Sequence, residues 1–343
     1  MSLQLLDIAF LIASFAVIIA GCELFVNGIE ALGVRLKLSQ GVVGSVFAVM
    51  GTAMPESSIP IVAILVAWLS GEESMEVAHE IGIGAILGAP FLLVTAAMCV
   101  GGIGVLLGVA KKRRSIKLEL DEKAIGLNLR FFFLVYALAL VPALLRLGVL
   151  KWAIVAILVG CYAYYVKLTT QVGGEVAEPE EPPYFCRWLK KEHEWPLKLI
   201  LPQVILGVSM IFGGARLFVY SMEHISLALG VSAAILSFVI APLATELPEQ
   251  YVSASWYLRK RDTLAMCNVT GAMVFQSSLL PALGIAATPW ILEMSMVGSI
   301  LICIILAALL YALLKMKRIN GYVLVCLGVV YVAYIGYIVT TTF

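Results

Sequence analysis

The stretch Ala244-Thr245-Glu246-Leu247-Pro248-Glu249 sets a Pro-Glu pair inside a long apolar run, and Gly51-Thr52-Ala53-Met54-Pro55-Glu56 does the same in the first half of the chain. An ionised carboxylate at the centre of a bilayer costs about 2.5 to 3.5 kcal/mol on insertion scales, so it is kept where it meets a partner, water or an ion. The proline beside it has no N–H, and its ring clashes with the carbonyl four residues back. Those carbonyls belong to Gly51 and Ala244. An interrupted helix at membrane depth is tolerated where the freed backbone lines a cavity, and carbonyls with a carboxylate are hard oxygen ligands suited to Ca2+, Mg2+ or Na+. Thr52 and Thr245 add hydroxyls next door. A single Pro-Glu reads equally well as a helix kink with a locally paired carboxylate; its repetition, once per half, points to a shared cation site.

The chain around these motifs has the composition of an integral membrane protein. Its 343 residues are 62% hydrophobic and 13% charged, against the roughly 25% charge of soluble domains, and the mean hydropathy is +1.02. A net charge of +1 carries no signature of a nucleic-acid partner; in a membrane chain the position of the charges matters more than their sum. The first apolar run, from Ile8 to Leu36, is too long for a signal-peptide core and lacks a basic flank, so it reads as the first span.

Runs of about 20 apolar residues suffice to cross the hydrocarbon. The pattern predicts ten spans, at 8–34, 41–69, 79–109, 124–145, 149–170, 198–229, 232–258, 263–286, 290–314 and 320–341. With the N-terminus outside, 19 of the 23 Lys and Arg residues fall in inner loops, and only Arg146 and Lys151 in outer ones. The positive-inside rule therefore predicts a multi-pass protein of the cell (plasma) membrane with both termini outside and the 171–197 segment in the cytoplasm. One outer loop, Gly71 to Glu80, is acidic, with Glu72, Glu73, Glu76 and Glu80. The inner segment, rich in Glu and Pro from Glu175 to Pro183, reads as a solvated linker, followed by a short interfacial helix within Tyr184–Trp195 that turns Phe185, Trp188 and Leu189 toward lipid headgroups.

Internal repetition organises the whole. An offset of 193 maps Gly21 onto Gly214, Phe25 onto Phe218, Glu30 onto Glu223, Ser39 onto Ser232 and Thr52, Pro55 and Glu56 onto Thr245, Pro248 and Glu249 without a gap. Farther on, an offset of 183 pairs Gly88-Ala89 with Gly271-Ala272. Five spans per half is an odd number, so the halves enter the membrane in opposite senses, and inverted repeats place substrate at the midplane between broken helices. The expected fold is an all-α polytopic membrane protein, with ten transmembrane helices as two inverted five-helix repeats. Residues 1–170 form the first repeat, 171–197 the cytoplasmic linker and 198–343 the second repeat.

Gly21-Cys22-Glu23-Leu24-Phe25-Val26 followed by Gly51 to Glu56 resembles the first alpha-repeat of the sodium/calcium exchanger family, in the cation/calcium antiporter superfamily, whose core is written G-T-S-L-P-E. Ala244 to Glu249 resembles the second. The resemblance implies a transporter, not an enzyme: a secondary active antiporter exchanging Ca2+ against Na+ or H+ by alternating access. It implies that Glu56 and Glu249 bind Ca2+ with main-chain oxygens near Thr52 and Thr245, including those of Gly51 and Ala244, and that the first and sixth helices slide over the rest. No cofactor is expected beyond the transported cations. The partners are inorganic cations and the lipid bilayer, with no nucleic acid and no oligomer implied.

The departures from that pattern are equally informative. Where the family carries G-N-x-x-G-S-N, the first half reads Gly84-Ala85-Ile86-Leu87-Gly88-Ala89-Pro90, and the second reads Cys267-Asn268-Val269-Thr270-Gly271-Ala272-Met273, keeping only Asn268, with Gln276 three positions beyond. The Ser of the core motif is Ala53 in one half and Glu246 in the other. Positions 246 and 249 share a helix face if the helix persists, so Glu246 is a candidate third ligand or proton carrier, or a carboxylate hydrogen-bonded to Asn268 or Gln276. Glu23 and Arg216 are equivalent under the offset and opposite in sign, which fits either an ion pair between the first and sixth helices or an Arg216 that snorkels to the interface. His79, His193 and His224 show no ligand spacing, and the seven cysteines contain no C-x-x-C. Alternative readings are an exchanger of Mg2+ or Mn2+ with the same fold, a cation channel using the carboxylates as a filter, and an intramembrane acid protease, for which the Gly-x-Gly-Asp type of motif is missing.

Overall fold

A computed structural model describes residues 5–35, 54–69, 72–145, 148–170, 182–189, 195–258, 260 and 262–342. They are helical almost throughout. In chain order the α-helices are α1 (Leu5–Arg35), α2 (Met54–Leu69), α3 (Glu72–Leu92), α4 (Met98–Ala110), α5 (Glu122–Leu145), α6 (Lys151–Thr170), α7 (Tyr184–Trp188), α8 (Leu197–Leu229), α9 (Ala233–Thr245), α10 (Leu247–Leu258), α11 (Asp262–Ala287), α12 (Met294–Lys315) and α13 (Gly321–Thr342). A π-helical turn, Leu93–Ala97, joins α3 to α4 as one continuous element.

Among the described residues, eight helical stretches are long and apolar enough to cross a membrane. The other two expected spans carry the Pro-Glu pairs and appear as shorter pieces. The span at 41–69 is described only from Met54, as α2. The span at 232–258 is divided at Glu246 into α9 and α10.

The inverted repeat is visible in how α1 meets α8. The two helices run antiparallel and approach so closely that a Cβ added at Gly21 would lie 2.9 Å from the Gly207 carbonyl oxygen, and one at Gly214 would lie 3.0 Å from that of Ser14. The 193 offset carries Gly21 to Gly214 and Ser14 to Gly207. The second contact is thus the first with the halves exchanged, as a pseudo-two-fold axis requires. Small residues at such a seam let backbones approach where no hydrophobic drive separates helix from lipid.

That register also corrects the expected Glu23–Arg216 pair. With Gly21 beside Gly207 and Gly214 beside Ser14, Arg216 faces the part of α1 around residue 12, roughly 16 Å along the axis from Glu23 at 1.5 Å per residue. Glu23 instead accepts a 2.5 Å hydrogen bond from the Tyr184 hydroxyl.

Tyr184 opens α7, and this short helix is held by side chains of both long helices. The Tyr184 N–H donates to Asn27 Oδ1 and the Phe185 N–H to Gln203 Oε1, both at 2.9 Å. Fully buried Gln203 then donates to the Leu24 carbonyl and to Asn27, again at 2.9 Å. The N–H groups at the start of a helix have no partner of their own, and here α1 and α8 supply two. Trp188 and Leu189 face outward, as expected for an interfacial helix.

The loops sort into two ends. At the basic end, Arg114 in the α4–α5 loop makes a two-pronged ion pair with Asp262 at the start of α11, at 2.6 and 2.8 Å, and also donates to the Tyr257 carbonyl. Both partners are buried, so the pair is strongly coupled to packing: removing one member of such a pair leaves an uncompensated charge. Lys117 bridges to Asn320 through the backbone, and Lys315 pairs with Glu122. At the acidic end, Ser232 donates to Glu293 at 2.6 Å and lies 3.5 Å from Glu80. The acidic stretch expected as a loop at 71–80 is helical from Glu72. Carboxylates in a first turn favour the positive end of the helix dipole, so the helix extends past the apolar run that periodicity marks.

Candidate cation site

Helix α9 starts where the Glu80 carboxylate meets the Ala233 and Ala234 amides. It runs in near-contact with α3: Cβ atoms built at Gly84 and Gly88 would fall 2.1 Å from the Ala234 oxygen and 2.2 Å from the Phe238 oxygen. Only hydrogen fits at either place. Pro242 has no N–H for the Phe238 carbonyl, and that carbonyl lies instead against the Gly88 Cα. Ser237 ties the same interface by donating to the Ile81 carbonyl at 2.8 Å. The residues between and beside the glycines, Ala85, Ile86, Leu87 and Ala89, are buried and apolar. In this chain the α3 motif packs helices and offers no side-chain oxygen to an ion.

At Glu246 α9 gives way to α10 while the backbone stays in the right-handed helical region, at φ −85° and ψ −7°. The Glu246 N–H donates to the Pro242 carbonyl and the Gln250 N–H to the Glu246 carbonyl, both at 3.0 Å. Between α9 and α10 stands this one residue, ahead of Pro248, which cannot donate to Ala244. Thr245 is buried beside it and donates to the Ala241 carbonyl at 3.0 Å. Glu246 itself is 0% exposed, and its Oε1 accepts a 2.7 Å hydrogen bond from Gln276 Nε2 on α11. Gln276 is equally buried, and its Oε1 has no hydrogen-bond partner among the described residues. The Gln276–Glu246 bond brings a carboxylate and a carboxamide together in the buried interior, an arrangement that offers oxygen ligands to a cation.

Glu56 is 3% exposed and stands in the first turn of α2, next to buried Ser57 and Ser58. Pro60 has no N–H for the Glu56 carbonyl. Helix α2 packs on α3, α8, α9 and α11, against the elements that carry Glu246 and Gln276. Asn268 donates to Ser253 on α10 at 3.0 Å, so it ties α11 to α10, while Gln276 is the residue that meets Glu246. Gly51 and Thr52 lie outside the described residues, as do the side chains of Ala244, Pro248 and Glu249.

Sequence reasoning passed over one buried polar chain nearby. Tyr165 donates to Asn128 Oδ1 at 3.0 Å, Asn128 donates to Thr270 at 2.9 Å, and Thr270 donates to the Met266 carbonyl at 2.7 Å. The chain joins α5 and α6 to the middle of α11, six residues before Gln276. A solitary Asn inside an apolar span was the available signal.

Solved structures share this architecture. A crystal structure of the H+/Ca2+ exchanger CAX superposes with a TM-score of 0.69 at 18% identity, covering 95% of this chain and 81% of that one. The sodium-calcium exchanger NCX_Mj, soaked with Na+ and Sr2+, gives 0.56 at 21% identity, covering 96% and 98%. An uncharacterised membrane protein of Methanocaldococcus jannaschii, MJ0091, is 24% identical over 271 residues, 79% of this chain and 78% of its own. The sequence pattern of the family described as sodium/calcium exchanger protein matches residues 6–171 and 199–340, which comprise both halves and leave out the linker. The chain belongs to the sodium/calcium exchanger family, whose members are membrane transporters of cations and not enzymes.

Proposed function

We propose that this protein is a Ca2+ antiporter in which the counter-ion is H+, with Glu56, Glu249, Thr52, Thr245 and Glu246 around the ion and the carbonyls of Gly51 and Ala244 and the side chain of Gln276 completing the shell. The observation that carries the reading is the buried Glu246 carboxylate, held against the Gln276 amide where α9 meets α10. Ca2+ takes six to eight oxygen ligands, several of them carboxylate. A proton needs only a carboxylate, whereas Na+ needs its own cage of neutral oxygens, and the buried stretch from Ala85 to Ala89 offers no side-chain oxygen for one. Exchange at one carboxylate cluster keeps the buried charge compensated in every loaded state, while an empty cluster would leave like charges facing each other. Such a carrier switches loaded and resists switching empty, which favours exchange over leak.

The reading places the protein in the plasma membrane as ten helices in two inverted repeats, 1–170 and 198–343, joined by the 171–197 linker. Its basic end lies in the cytoplasm, and α1 and α8 move as a pair during alternating access. In proteoliposomes, Glu246→Gln is expected to slow H+-driven Ca2+ uptake at least tenfold and to flatten its dependence on pH. Uptake that keeps the parent rate and the parent pH profile would remove Glu246 from both the ligand set and the proton path. Competition by Mg2+ and Mn2+ in the same assay tests the cation: Ca2+ uptake is expected to resist both.

A further inference from the structure

At the basic end of the bundle two helices stop in the same unusual way, and a third is followed by a lysine in the same left-handed position. Helix α4 closes with the Lys112 N–H on the Val109 carbonyl and the Arg113 N–H on the Gly108 carbonyl, both at 2.9 Å, with Lys112 at φ +54°. Helix α12 repeats the arrangement: Lys317 donates to Leu314 at 3.0 Å and Arg318 to Leu313 at 2.9 Å, with Lys317 at φ +53°. Lys260, just past α10, sits at φ +62°. This left-handed position normally belongs to Gly or Asn, because a side chain there costs about 1 to 2 kcal/mol. The end of α8, on the opposite face, does use Gly230, at φ +66°. Cations suit the negative end of a helix, but any position in the last turn serves that purpose without strain. Strained lysines at three ends of one face call for a further reason.

Two of the loops involved close on a groove of about 400 Å3 lined by Lys117, Lys317, Arg318 and Asn320 over an apolar floor of Leu313, Ile319 and Val323. The Lys117–Asn320 backbone bridge and a 3.1 Å bond from the Gly321 N–H to the Ile116 carbonyl fix the two sides. The lining contains three cations and no carboxylate. Lys315, two residues from Lys317, is drawn off by Glu122. Glu119, Asp121 and Glu122 line the adjoining groove and share Lys317 with it, so the cradle suits a single compact negative charge better than a densely charged ligand. Outward from the groove, α13 presents the exposed side chains of Tyr322, Cys326 and Val329 along one face. A polar anion-binding end and an apolar track therefore meet at a membrane surface.

We propose that this groove binds an anionic phospholipid: Lys117, Lys317 and Arg318 surround a phosphodiester headgroup, and an acyl chain lies along the Tyr322–Val329 face of α13. Basic pockets between transmembrane helices recognise anionic lipid headgroups in this way. The site is separate from the cation path and does not depend on which ions are carried. Its occupant would tie the α4–α5 loop to the α12–α13 turn, and through Arg114 and Asp262 to the start of α11.

The test uses the purified full chain in detergent, with melting temperature and lipid retention by native mass spectrometry as readouts. The probes are phosphatidylglycerol, phosphatidylcholine with the same acyl chains, and soluble glycerol 3-phosphate. Phosphatidylglycerol is expected to raise the melting temperature above that in phosphatidylcholine and to be retained at least about tenfold better, since each contributing cation adds roughly a fivefold gain. The triple variant K117Q/K317Q/R318Q is expected to lose that preference, while Lys315→Gln keeps it. Lys317→Gly separates binding from folding, because it relieves the left-handed strain: it should melt at or above the parent temperature in phosphatidylcholine and yet gain less from phosphatidylglycerol. A triple variant that retains phosphatidylglycerol as the parent does would overturn the assignment, as would stabilisation by glycerol 3-phosphate equal to that by the lipid.

Discussion

Glu56→Gln is expected to lower Ca2+ exchange at least 100-fold while leaving the folded yield close to that of the parent. The amide has the shape of the carboxylate and keeps one oxygen, so the packing of α2 against its neighbours is preserved. What it loses is a full negative charge at a position that is 3% exposed. Removing one partner of a buried, compensated charge group costs about 3 to 5 kcal/mol, and each 1.4 kcal/mol is a factor of ten in affinity. The loss therefore falls on ion binding and on the transitions that require a loaded site. Calcium flux in vesicles checks the first half of the expectation, and size-exclusion profile and melting temperature check the second. A variant that exchanges within threefold of the parent would remove Glu56 from the site.

A second large effect is expected from a single methyl group. Gly88→Ala places its Cβ 2.2 Å from the Phe238 carbonyl oxygen, a backbone atom that cannot swing aside, and next to Pro242 at 2.8 Å. Ordinary contact needs about 1 Å more, so α3 and α9 must separate along the face that carries Pro242, four residues before Glu246. Overpacking of this kind typically costs 1 to 3 kcal/mol, and a backbone obstruction belongs at the upper end, about 3 kcal/mol. The melting temperature should fall by several degrees and exchange should be lost with it. Gly160→Ala and Gly213→Ala are the matched controls, because an added Cβ meets nothing within 4 Å at either position. Equal melting temperatures for Gly88→Ala and these controls would mean that the α3–α9 contact is looser than described.

The features legible in the sequence were those written in one dimension. Apolar run length marked the long helices, the 193 offset exposed the repeated halves, and Pro248, two residues past Glu246, foretold the divided helix between Ala233 and Leu258. The Glu246–Gln276 contact was among the alternatives because only Asn268 and Gln276 offered amides in the facing span. Contacts set by helix rotation and register were not legible. In a helix that is apolar on every side, periodicity does not say which face turns to which neighbour. Arg216 was therefore offered as one partner for Glu23 by symmetry, whereas the antiparallel register of α1 and α8 separates the two and Glu23 meets Tyr184. The Tyr165–Asn128–Thr270 chain joins residues far apart in sequence and could be suspected only from the cost of a lone Asn in an apolar span. Likewise, the acidic residues from Glu72 to Glu80 read as a loop because hydropathy marks the bilayer and not the end of the helix.

The central claim is that Ca2+ moves through this protein only in exchange for protons. Its most direct test is Ca2+ uptake by proteoliposomes of the parent protein under an imposed H+ gradient, and separately under an imposed Na+ gradient, with and without collapse of each. Uptake driven by the H+ gradient, abolished when that gradient is collapsed and indifferent to Na+, is the predicted result. Uptake that follows the Na+ gradient alone would contradict the proton as counter-ion, and Ca2+ entry that proceeds at the same rate without either gradient would contradict exchange itself.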